Sequence, residues 1–138
     1  MQTDKLVTAY FNHYRLMKTS SDFFWAWEDV QYLVERDPVQ AWSVIVELIN
    51  AAPSWEAIAF VAAGPLEDII SKRGKFIIEK LEQALPQNKR LQYAIAGVWL
   101  EEEDEFFTKL ETLKNSYNLD KINPLNGEAW SDDNLLPG

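Results

Sequence analysis

The sequence contains no cysteine, one histidine and only five glycines in 138 residues. Without cysteine there is no disulfide, no thiol nucleophile and no Cys-based zinc site; the absence agrees with a reducing compartment and predicts a cytoplasmic protein. The lone histidine, His13, leaves any metal site to be built almost entirely from carboxylates, and between Asn12 and Arg15 it reads as an ordinary surface residue. The glycines form neither a Gly-x-Ser-x-Gly elbow nor a Walker loop, so no residue pattern cradles phosphate or activates a serine. Also missing are an apolar run of the roughly 18 to 20 residues that a membrane span needs, an apolar signal segment near Met1, and any strand-length alternation of apolar and polar residues. These absences exclude a membrane role, weigh against an enzyme, imply no cofactor, and predict a soluble helical protein.

What is present is bulk. Hydrophobic residues make up 47% and aromatics 13%, with six Trp, seven Phe and five Tyr, which rules out disorder as the main state. A chain of this length suits one core that buries roughly two-thirds or more of the unfolded surface. The net charge of −9 is lopsided: residues 1–100 carry 12 acids against 10 Lys and Arg, and residues 101–138 carry 10 acids against 3 Lys. A basic stretch runs from Lys72 to Arg90, but the acidic balance argues against nucleic-acid binding, which needs a net basic face.

The segments least able to face water lie between Asp37 and Gly74. Asp37 is a natural N-cap and Pro38 a natural first-turn residue for a helix over Pro38–Ala52, whose polar residues Gln40, Ser43, Glu47 and Asn50 fall on one narrow stripe. Pro53 stops it, and Ser54 caps a second apolar helix over Trp55–Ala63. Gly64 suits a left-handed C-cap and Pro65 the next first turn, with Glu67 and Asp68 at the positive end of that helix, so Ala63–Asp68 reads as a sharp helix-to-helix corner.

Helical spacing also marks Thr3–Lys18 (Val7, Tyr10, Phe11, Tyr14, Met17), Phe23–Arg36 (Phe23, Ala26, Trp27, Val30, Leu33, Val34), Pro65–Arg73, Lys75–Leu85, Asn88–Leu100 and a last helix opened by Glu101–Glu105. Gly74 is expected to break or kink the path, and Gly97 to mark close packing. The reading is all-α, about seven or eight short helices in antiparallel pairs stacked in the manner of HEAT or armadillo repeats, although no fixed sequence period occurs. Residues 1–116 form the helical domain. Residues 117–138 form an irregular acidic tail, apolar enough to pack partly on it.

Chemistry narrows to carboxylates. Glu67 and Asp68 are the best catalytic or metal candidates, with Glu28, Asp29 and Arg73 as helpers; as first-turn acids they also simply stabilise a helix N-terminus. Candidates for a protein contact are the aromatic pair Phe24 and Trp25, the acids Glu101, Glu102, Glu103 and Asp104, and Trp130, Asp132 and Asp133 in the tail.

The pattern Asp37-Pro38, Ala41-Trp42, Ala52-Pro53, then Ala63-Gly64-Pro65-Leu66-Glu67-Asp68 and Val98-Trp99 resembles an uncharacterised bacterial domain-of-unknown-function family with a similar Gly-Pro-Leu-Glu-Asp corner. The resemblance covers about Trp25 to Trp99 and implies a small helical bacterial protein without an activity to carry over. The function expected is therefore a non-enzymatic helical interaction module, of the immunity or antitoxin type, binding a basic protein. The alternatives are a carboxylate site on Glu67 and Asp68, or a structural homo-oligomer.

Overall fold

The computed structural model describes residues 3–117 and residue 119. These fold into α1 (Thr3–Leu16), α2 (Phe24–Arg36), α3 (Pro38–Ala51), α4 (Trp55–Val61), α5 (Glu67–Ala84), α6 (Lys89–Ala96) and α7 (Phe107–Ser116), with no strand among the described residues. The all-α class read from spacing is what the chain adopts. No helix of the described residues is long and apolar enough to cross a membrane.

Local chemistry sets several boundaries. The Asp37 side chain accepts from the Gln40 N–H at 3.1 Å with Pro38 in the first turn, Ser54 accepts from the Ala57 N–H at 3.1 Å, and Asn88 accepts from the Leu91 N–H at 3.0 Å. Each satisfies a backbone donor that a helix start leaves without a partner. The C-terminal ends of α2 and α3 are closed from a distance by two arginines. Arg73 donates to the Val34 and Glu35 carbonyls, and Arg90 to the Ile49 carbonyl at 2.9 Å and the Ala52 carbonyl at 2.6 Å. Two members of the Lys72–Arg90 basic stretch are thereby spent on helix dipoles, and Lys72 pairs with Glu35 at 2.5 Å.

α3 is the hub. It packs against α1, α2, α4, α5 and α6, and its Ala41, Val44, Ile45, Leu48 and Ile49 are fully buried, as expected of a helix with one polar stripe. α7 closes the far side against α5 and α6.

Four local expectations give way. Gly64 is not a left-handed cap: its φ is −108°, and Ala62–Leu66 form a π-helical turn that joins α4 to α5. Pro65 has no N–H to give, and the ladder resumes by widening, with the Glu67 N–H reaching back to the Ala62 carbonyl. The chain bends there instead of stopping. Gly97 ends α6 as its C-cap and does not lie within a helix reaching Leu100. Glu101–Glu105 precede α7 as turns and are not its first turn. His13 is buried, 8% exposed, because it sits three, four and seven residues after Tyr10, Ala9 and Leu6 on the inward face of α1. Its ring stands edge-on to Phe24 at 5.4 Å, and its Nδ1 has no hydrogen-bond partner. The expected kink near Gly74 is present, at Arg73 (φ −130°, ψ 30°), inside α5.

Candidate functional site

One face of α5 carries Glu67, Ser71 and Gly74, spaced by four and three residues and hence stacked one above another. The segment 97–106, between α6 and α7, runs along that face in the same order. The Trp99 N–H donates to Glu67 Oε1 at 3.0 Å, and the Ser71 hydroxyl donates to Asp104 Oδ2 at 2.7 Å. Phe106 covers Gly74 so tightly that a β-carbon at 74 would overlap its ring. A fourth tie comes from α7, whose Lys114 Nζ donates to the Val98 carbonyl at 2.6 Å.

The lengths do not match. Seven residues of α5 rise about 10 Å, whereas the seven steps from Trp99 to Phe106 could span more than twice that when extended. The surplus is folded into turns, with the Asp104 N–H on the Glu101 carbonyl at 2.9 Å and the Phe107 N–H on the Asp104 carbonyl at 3.0 Å. Asp104 faces inward and also accepts from the Phe106 N–H at 2.9 Å, while Glu101, Glu102, Glu103 and Glu105 are left exposed. Segment 97–106 is thus a strap, tied at both ends, that carries four free carboxylates.

Trp99 stands at the head of the strap with its backbone held and its side chain 66% exposed. Beneath it lies Lys114, 3% exposed, with Nζ 4.4 Å from the indole centroid and 3.6 Å from Glu111 Oε1. The indole, a carbonyl and a carboxylate therefore share one buried ammonium. Burial pushes the Lys114 ammonium below its ordinary range, against the pull of Glu111 and Glu67 in the other direction. Burial likewise raises the Glu67 carboxyl, partly offset by the Trp99 N–H and helped by Asp68 and Glu101. For both groups desolvation outweighs their mutual attraction.

The residues singled out from sequence are distributed as follows. Glu67 begins α5 as expected, but its carboxylate is engaged with the strap, while Asp68 beside it is half-buried. Glu28 lies on the outer face of α2 in an open groove with Trp27, Gln31, Tyr32, Glu35 and Arg36, and Asp29 is exposed on the same helix. Arg73 closes α2. Among the described residues no three His, Cys, Asp or Glu side chains are grouped to hold a metal ion. Phe24, 38% exposed, stacks on Trp27 at 5.3 Å; Trp25, 39% exposed, lines a second open groove with Phe23 and α1 residues Asp4, Lys5, Thr8 and Asn12. Trp130, Asp132 and Asp133 lie outside the described residues.

Two residues at the strap escape a reading by residue type. Trp99 looks like the end of an apolar stripe, and Lys114 like a solvated cation. The spacing of Phe107, Leu110 and Lys114, by three and four, was the available sign that Lys114 shares the buried face of α7.

Comparison with known proteins adds one finding. The model of a family described as "Family of unknown function (DUF6869)" matches residues 13–117. No curated protein and no solved structure matches the chain.

Proposed function

The chain belongs to the DUF6869 family of unknown function, and we propose that it is a non-enzymatic, cytoplasmic protein-interaction module that binds a basic protein through the strap 97–106, in the manner of an immunity or antitoxin-type inhibitor. The observation that carries this reading is Trp99: a large apolar side chain, 66% exposed, on a backbone fixed by Glu67 and Lys114 and followed by four exposed carboxylates. A pre-ordered aromatic loses little freedom on binding, and a surrounding field of one sign speeds encounter with a partner of the other. The carboxylate-site reading draws less support, because Glu67 is engaged with the strap and the other candidate acids stand apart.

Affinity capture from lysate of the source cells, with wild type, Trp99→Ala and the triple variant Glu101→Gln, Glu102→Gln, Glu103→Gln as baits, tests the proposal. A stoichiometric basic partner retained by wild type, weakened by both variants and released at high salt is the expected result. Capture unaffected by either variant would place the contact elsewhere.

A further inference from the structure

Resting on that reading, we infer that the group seated on Trp99 is an apolar or aromatic side chain flanked by Lys or Arg, and not a cation stacked on the indole. Because Lys114 is buried and Trp99 exposed, the ammonium 4.4 Å from the indole centroid occupies the protein-facing side of the ring. A cation–π contact draws on the negative face of the ring quadrupole, and Lys114 already polarises it. A second cation at the mirror position would stand about 9 Å from the Lys114 ammonium, twice 4.4 Å, and would meet a ring already polarised toward that ammonium, whose charge Glu111 at 3.6 Å offsets only in part. An apolar or aromatic group meets no such repulsion and buries the exposed indole. Cationic groups are better received by Glu101, Glu102, Glu103 and Glu105, none of which has a hydrogen-bonded cation among the described residues.

The test uses two blocked pentapeptides, Lys-Lys-Phe-Lys-Lys and Lys-Lys-Lys-Lys-Lys, titrated into the full chain at low salt while the Trp99 indole N–H is followed by NMR, with W99F supplying its assignment. The Phe-centred peptide is expected to move that resonance and to bind tighter than the all-Lys peptide, on the order of tenfold. In Lys114→Met, checked for native helicity, the all-Lys peptide is expected to gain several-fold. If that variant does not fold, the wild-type comparison alone decides. Equal or tighter binding of the all-Lys peptide at Trp99 overturns this inference while leaving the interaction surface standing. No movement of Trp99 with either peptide overturns the proposed interaction surface, and this inference with it.

Discussion

The ring of Phe106 lies over Gly74 at a separation that leaves no room for a β-carbon. The contact joins a loop to the middle of α5 at a position thirty-two residues earlier in the chain. It also explains why a helix interior tolerates a residue of poor helix propensity. Gly74→Ala is expected to destabilise the protein by about 1 to 3 kcal/mol, the usual effect of overpacking, even though Ala favours helix. Urea denaturation of Gly74→Ala, Phe106→Ala and the double variant checks it: the double variant must lose less than the sum of the singles. Additive losses would mean that the two residues do not meet.

The two arginines that close α2 and α3 predict a contrast with the lysine beside them. Arg90 is partly buried, its guanidinium held somewhat below its usual range by burial, and it makes two bonds to carbonyls at the end of α3. Arg90→Met is expected to cost about 2 kcal/mol, as for hydrogen bonds to a charged group. Lys72→Met removes only a pair between two solvent-exposed side chains and is expected to leave the unfolding midpoint unchanged within error. Equal effects from the two substitutions would refute the capping role.

Tyr10 is fully buried between Phe11 and Phe60, and its hydroxyl, facing Gly64, has no hydrogen-bond partner. Its ionisation is pushed far above the ordinary tyrosine range by burial and by Asp68. Tyr10→Phe removes an unsatisfied polar group and keeps the ring, so stability is expected to hold or to rise by up to about 1 kcal/mol. A thermal or chemical denaturation experiment in which the variant is clearly weaker would show that the hydroxyl has a partner.

Glu67 supplies a pH dependence whose sign is fixed by its raised carboxyl. The folded chain holds this proton to higher pH than the unfolded chain, so the contribution of Glu67 falls as pH rises from the ordinary carboxylate value of 4.5 through the folded one, and is constant beyond. Subtracting the stability curve of Glu67→Gln, which keeps an acceptor for the Trp99 N–H, should expose that decline. A difference that grows with pH in this window would mean that the strap holds Glu67 chiefly as a carboxylate.

Legibility from sequence followed range. Asp37 and Ser54 cap helices through donors three residues away, and Ala26, Val30, Leu33 and Val34 repeat at helical spacing, so type and spacing were enough. The strap was not legible because its partners Glu67, Ser71 and Gly74 are some thirty residues distant, and nothing local distinguishes a tied acid such as Asp104 from a free one such as Glu103. His13 departs for a different reason: its residue type suggests a surface position, whereas its spacing from Leu6, Ala9 and Tyr10 places it on the buried face of α1. Gly64 failed because a π-turn and a left-handed cap are both compatible with Gly-Pro, and the choice rests on how α4 and α5 pack.

The turns of the strap separate two kinds of sequence freedom. Positions 99, 104 and 106 are bound to fixed points on α5, so the number of residues between them is constrained as firmly as their identity. The side chains at positions 101, 102, 103 and 105 face solvent and make no ion pair among the described residues. A library randomised at those four sites would leave the scaffold untouched while changing the surface it presents, and each clone would show its letters from the same frame.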